Sequence, residues 1–184
     1  MTPLSTSITR IAGVTAAILM IPFIAMRFST EVNWTFSDFL IMGILIFGTG
    51  MAYTLISRIS DDLSYRLALG TGIGTGFFLI WSNLAVGLIG SENNDINALF
   101  FLLLVLGFAG ALVSRFQAKG MTWVMGFIAA GQLSIAGYAL ATGAQHLPQS
   151  SVGEILGVTL FFTVFWVASA LLFRQAARAP LRLS

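Results

Sequence analysis

Six long apolar runs leave this chain few folds to choose from. They cover about residues 11–27, 36–57, 67–89, 97–114, 121–142 and 153–173, and a run of roughly 17–25 apolar residues is long enough to cross a bilayer as a helix. Lipid offers the backbone no hydrogen-bond partner, and the runs lack the alternation of a barrel strand, so helices are the expected form. Only 9% of the 184 residues are charged, against roughly 25% in a soluble domain. That is too little polar surface to cover a water-soluble core, and the length suits one bundle without a second domain. The expected fold is therefore an all-α membrane protein of six transmembrane helices, a single transmembrane domain over 1–184.

Orientation follows from the cations. Arg10, Arg58, Arg66, Arg115, Lys119, Arg174, Arg178 and Arg182 fall on one side of a six-span topology and Arg27 alone on the other. The positive-inside rule then places both termini in the cytoplasm of a bacterial inner membrane. Glu31, Asp38, Glu92, Asp95 and Glu154 fall on the opposite side, making the outer face acidic. The first run, with Arg10 ahead of it, has the look of a signal peptide. The repeat described next instead makes it the counterpart of the third and fifth runs, and so part of the bundle.

An offset of 57 carries Ser57 and Arg58 onto Ser114 and Arg115, and Asp38 onto Asp95; a further 59 carries Asp95 onto Glu154 and Arg115 onto Arg174. Each even-numbered span thus has an acid at its start and an arginine twenty positions later, about 30 Å along a helix. Complementing the helix macrodipole and anchoring the two ends explains each pair singly. The repeated spacing further points to duplication of a two-helix unit. The expected architecture is three tandem helical hairpins, about 10–59, 66–116 and 121–175, in a pseudo-threefold arrangement, with sequential helices as antiparallel neighbours.

Residues 81–100, WSNLAVGLIGSENNDINALF, hold the most polar of the three outer connections. Together those connections bring Glu31, Asn33, Asp38, Glu92, Asn93, Asn94, Asp95, Asn97, His146 and Glu154 to the outer face. Three roles fit them. They can cap helices, with Asn94 or Asp95 starting the fourth and Ser37 the second; they can form a docking surface; or their oxygens can hold a hard cation. The loop lacks the D-x-D-x-D-G spacing of an EF-hand, and no metal site is assigned.

Within the spans, Asn83 and Gln132 are the prominent polar residues, joined by Ser134. Interhelical hydrogen bonding is their expected role, worth about 0.6–2 kcal/mol, with a pore-lining or ligand role as the alternative. No ionisable residue falls at mid-span, where proton relays and many ion-coupled carriers place one. The stretch GTGIGTG sets Gly70 and Gly74, and Gly72 and Gly76, four apart, a pattern for close helix approach. It lacks the lysine and preceding strand of a phosphate loop. Gly48 with Ala52 and Gly107 with Ala111 repeat the pattern. Trp34 and Trp123 stand at helix ends as interfacial anchors; Trp81 and Trp166, with Phe161, Phe162 and Phe165, offer an apolar pocket for a quinone, carotenoid or lipid.

Catalysis finds no support. There is no cysteine and one histidine, which argues against thiolate chemistry, an internal haem and a multi-histidine metal site. No HExxH motif and no Ser–His–Asp set on one face occurs, and His146 stands in a loop before Pro148. No catalytic residue is assigned and the chain is expected not to be an enzyme. The basic segment RQAARAPLR suits anionic lipid headgroups better than nucleic acid.

The segments EVNW (31–34), GTGMAY (48–53) and W-x-N-x-AVG-x-IG-SE-x-N (81–94) resemble those of an uncharacterised family of small bacterial multi-pass inner-membrane proteins. The resemblance covers the whole chain and implies a bacterial membrane location, but no activity and no site residue. The expected function is that of a structural or accessory subunit presenting its acidic outer face to another membrane protein or to its own copies, within the lipid bilayer. The alternatives are a small channel or carrier for a cation or uncharged solute, with Asn83, Gln132 and the outer acids on its path, and a binder of an apolar cofactor whose identity the sequence leaves unknown.

Overall fold

The structure, a computed structural model, describes residues 3–178. Among them every regular element is helical: α1 (Leu4–Phe28), α2 (Phe36–Ile56), α3 (Leu63–Ala85), α4 (Ala98–Val113), α5 (Ala118–Ala141) and α6 (Val152–Arg178). All six, α4 taken with the 3₁₀ turn that leads into it (Asp95–Val113), are long and apolar enough to cross a membrane. Arg182, counted above among the cations of one side, lies outside the described residues, as does the end of the RQAARAPLR segment.

Helix starts are set by short polar side chains. At α2 the Thr35 amide donates to Asp38 Oδ2 (2.6 Å) while the Asp38 amide donates to Thr35 Oγ1 (3.4 Å), a reciprocal capping box. Ser37, expected as this cap, is already helical; the cap lies two residues earlier because Thr35 and Asp38 satisfy each other's exposed amides. The same box recurs at α6 between Ser151 and Glu154, at 2.6 and 3.2 Å. At α3 the Asp62 carboxylate accepts from the Tyr65 amide at 2.9 Å.

Four boundaries differ from expectation by four residues or more: the start of α1, both ends of α3 (Leu63–Ala85 against 67–89) and the end of α6 (Arg178 against 173). α1 begins at Leu4, ahead of residue 11, and takes in the polar stretch through Arg10, with Thr9 Oγ1 donating to the Ser5 carbonyl at 3.1 Å. α3 stops at Ala85 and not near residue 89, because Gly87 and Gly90 take left-handed backbone conformations (φ 72° and 70°) that no helix accommodates.

The helices fall into two compact units, α1–α2 and α3–α6. In the first, the pair runs antiparallel. A Cβ on Gly50 would lie 2.9 Å from Ile11 and one on Gly43 would lie 3.4 Å from Leu19, and Phe23 meets Phe39 edge-on at 6.4 Å. The pair buries little: Thr15 is the buried residue of α1, and α2 has none.

In the second unit, α5 is the central element. Its buried stripe, Met121, Val124, Met125, Ile128, Ala129, Gln132, Ile135, Ala136 and Ala139, follows the helical period along one face. α5 packs antiparallel on α6 and on α4, and α3 packs along α6. α3 and α4 meet at few points although they are consecutive. The expectation that sequential helices are close neighbours therefore holds for α1–α2 and α5–α6 but not for α3–α4. Glycine placement supplies the reason. A Cβ on Gly72 would sit 3.0 Å from Ser169 Oγ, and one on Gly76 would sit 3.7 Å from the Trp166 ring, so the smooth face of α3 is turned to α6. There the Ser169 hydroxyl donates to the Ala68 carbonyl at 2.7 Å, and Tyr65 meets Phe173 at 5.3 Å.

Gly107 and Ala111 do the same for α4. A Cβ on Gly107 would reach Ile128 at 2.5 Å, whereas one on Gly48, Gly74 or Gly137 would meet nothing within 4 Å. Gly107→Ala should thus force the buried Ile128 aside and lower stability by about 1–3 kcal/mol. Gly137→Ala on the facing helix should be neutral or stabilising by up to about 1 kcal/mol, since it only removes unfolded-state freedom. Thermal unfolding midpoints of the two variants in the same detergent check the contrast.

Candidate functional site

The best-built polar feature is the connection between α3 and α4, closed around Asn97. This residue ends a 3₁₀ turn, Asp95–Asn97, that leads into α4, and it is 3% exposed. Its Oδ1 accepts the amides of Leu88 (3.2 Å) and Ile89 (3.0 Å), while its Nδ2 donates to the carbonyls of Ile89 (3.2 Å) and Ser91 (2.8 Å). The full capacity of a carboxamide is used. The Asn97 carbonyl in turn accepts from Asn83 Nδ2 at 3.0 Å, tying the last turn of α3 to the start of α4. Asn94 caps the 3₁₀ turn by accepting the Ile96 amide at 3.1 Å, and Ile89 is buried beneath the loop. In this irregular segment between α3 and α4, one side chain meets two backbone amides and two carbonyls.

The loop and the two helix ends border an open recess of about 370 Å³. Asn83, Glu92, Asn93, Asn94, Asp95 and Asn97 form its polar wall, and Leu84, Ala98 and Phe101 its apolar flank. Glu92 and Asp95 are exposed and form no hydrogen bond or ion pair among the described residues.

The other candidates are placed elsewhere. Asp38 and Glu154 are engaged in the capping boxes of α2 and α6. Glu31 and Asn33 belong to the α1–α2 connection, where the Glu31 amide donates to Ser29 Oγ at 3.1 Å. His146 is exposed beside Gln145, with 3.4 Å between their side-chain nitrogens. Among the described residues no group of three or more His, Cys, Asp or Glu is arranged to hold a metal ion.

Asn83 and Gln132, similar in sequence terms, differ in the structure. Asn83 makes the hydrogen bond just described. Gln132 is wholly buried in the α5 stripe, and neither end of its carboxamide has a partner. Thr163 Oγ1 and Trp166 Nε1 on α6 are also buried without partners. The aromatic candidates separate as well. Phe161, Phe162 and Phe165 line an apolar groove of about 250 Å³ against Thr71, Gly74, Thr75 and Phe78 of α3. Trp166 is buried at 1% exposure beside Gly76, and Trp81, 39% exposed, stacks on Phe77; neither lines the groove.

Sequence reasoning placed Asn97 in a polar cluster but not at its centre. The signal was available in the two glycines: Gly87 and Gly90 free the chain to fold back, and a buried side chain must then take up the amides left by the interrupted helix.

Comparison with protein-family models, with curated proteins and with solved structures finds no match.

Three substitutions test these assignments. Asn97→Ala should leave the Leu88 and Ile89 amides unsatisfied, at about 1–3 kcal/mol for such groups; hydrogen exchange across residues 86–96 should accelerate about tenfold or more, with exchange in α5 unchanged. Gly87→Ala should give the same local signature, because a Cβ there would meet the Ser91 backbone at 2.5 Å. Gln132→Leu should leave the unfolding midpoint unchanged or raise it, since an unpartnered buried amide gives way to an apolar group of similar shape.

Proposed function

We propose that this chain is a non-enzymatic accessory or structural subunit of the bacterial cytoplasmic membrane, with both termini inside, whose acidic face engages a partner protein or further copies of itself. One observation carries the reading. The α3–α4 connection is organised around Asn97 far beyond what joining two helices requires, and it holds two unpaired carboxylates at a fixed place on the surface. A preformed polar surface binds at lower ordering cost than a mobile loop does. The cores of α3–α6 contain no buried Asp, Glu, Lys or Arg among the described residues, which favours docking over ion-coupled transport.

Duplication of a two-helix unit is part of the same proposal. The equivalent boxes Thr35–Asp38 and Ser151–Glu154 support it, the middle hairpin having the Asn94–Asn97 turn in their place.

Two measurements test the reading. Gentle extraction from the native membrane followed by native mass spectrometry should give a complex of fixed stoichiometry, hetero- or homo-oligomeric; a bare monomer under all gentle conditions defeats it. For topology, the chain has no cysteine of its own, so single replacements report cleanly. Glu92→Cys should react with a membrane-impermeant maleimide in intact spheroplasts, and Lys119→Cys only after permeabilisation.

A further inference from the structure

We propose that the turn between α4 and α5 holds the headgroup phosphate of an anionic phospholipid. The inference is independent of the docking role and concerns the opposite end of α4. An open recess of about 470 Å³ lies there; Arg115, Gln117 and Lys119 give it a polar wall, and Val113 and Trp123 an apolar flank. No acid lines it. Arg115 and Lys119 form no ion pair among the described residues, whereas Arg66, in the first turn of α3, is neutralised by Asp61 at 2.6 Å. Asp62, the other acid before α3, is taken up by the Tyr65 amide at 2.9 Å. Two cations on one recess without counter-charge select an anion, and a guanidinium matches a phosphate with several N–H donors at once.

The backbone adds that Arg115 is not there for the turn. α4 ends in a Schellman motif: the Phe116 amide donates to the Ala111 carbonyl at 3.0 Å and the Arg115 amide to the Leu112 carbonyl at 2.9 Å. Arg115 fills the left-handed position of that motif (φ 50°), and Phe116 follows at 55°. Glycine takes this position without steric penalty and arginine does not, so the turn alone gives no reason for the side chain. The wall is also held in place. The buried Tyr65 donates its hydroxyl to the Phe116 carbonyl at 2.7 Å, and a Cβ on Gly120 would overlap Ser114, so α5 starts directly against the end of α4. Its N-cap, Gln117, makes no side-chain bond to the first-turn amides, which add partial positive charge at the same place.

The apolar flank decides between a free phosphate and a lipid. Val113, the last residue of α4, is 86% exposed and Trp123, in the second turn of α5, is 76% exposed. On helices of membrane length, an aromatic ring near the end sits at headgroup level. A charged wall beside an exposed apolar flank fits an amphiphile, with phosphate at Arg115 and Lys119 and the glycerol and acyl chain along Val113 and Trp123.

The test is native mass spectrometry of the purified full chain, delipidated in neutral detergent and titrated with phosphatidylglycerol or phosphatidylcholine, with and without excess ammonium phosphate. One phosphatidylglycerol per chain should be held at least about tenfold more tightly than phosphatidylcholine, whose headgroup has no net charge. Arg115→Gly should weaken phosphatidylglycerol at least about fivefold, the loss of one cation near the surface, while its unfolding midpoint stays or rises. Lys119→Gln should weaken the lipid to a similar extent. A control pair, Arg10→Gln with Arg178→Gln, removes two exposed cations outside the recess and should change the affinity less than about twofold, because screening isolates distant charges. Equal retention of the two lipids, binding unchanged in both Arg115→Gly and Lys119→Gln, or an equal loss in the control pair would each overturn the site. Displacement of phosphatidylglycerol by ammonium phosphate would make free phosphate the occupant and overturn the lipid assignment. Should Arg115→Gly lower the midpoint, the arginine serves the fold, and Lys119→Gln decides on the same criterion.

Discussion

Everything in this protein answers to the requirement that backbone amides and carbonyls next to an apolar environment find partners within the chain. Six helices meet that requirement along their length without help. Their ends, and the places where the chain leaves helical geometry, need side chains to do it. Thr35, Asp62 and Ser151 serve at three helix starts. At the interruption after α3, where two left-handed glycines turn the chain back on itself, Asn97 does most of this, meeting two amides and two carbonyls while its own carbonyl is held by Asn83, and Asn94 meets one amide more. The candidate site is the by-product of this solution. Closing the loop around one side chain leaves a recess beside it, with the exposed Glu92 and Asp95 among its lining residues.

Close approach between helices depends on a second constraint. Lipid supplies no hydrophobic force between helices, so contact area comes from backbones brought near one another at small residues. Gly72 and Gly76 bring α3 to α6, and Gly107 brings α4 to α5. The consecutive helices α3 and α4 meet at few points, and the Asn83–Asn97 hydrogen bond links them at the connection.

Some of the buried polar atoms without partners lie between the two helices that pack most closely. Gln132 occupies the centre of the α5 stripe, with Thr163 and Trp166 on the helix that α5 packs against most closely. Counting from the loop that joins them, Gln132 and Thr163 both lie about 13–17 Å along the helix pair. A carboxamide at that depth with neither end bonded costs stability. Asn83 carries the same chemical group one turn from a helix end, where its Nδ2 is bonded to the Asn97 carbonyl and its Oδ1 is buried without a donor.

The sequence by itself determined that the chain is six apolar helices, with boundaries within a few residues for α2, α4, α5 and the start of α6, because length and apolarity are local properties summed along a run. It also showed the crowding of asparagines and acids between α3 and α4, and the glycine spacing that permits close packing. Only the tertiary structure decided which of those residues matter to each other. Which face of α3 meets α6 and which of GTGIGTG's glycines is covered depend on contacts between segments far apart in the chain, and which of four nearby asparagines becomes the hub depends on how the connection folds back. Asn97 and its neighbours Asn93 and Asn94 are chemically alike in sequence; a loop folded back by Gly87 and Gly90 is what buries Asn97 while Asn94 is half-buried and Asn93 exposed.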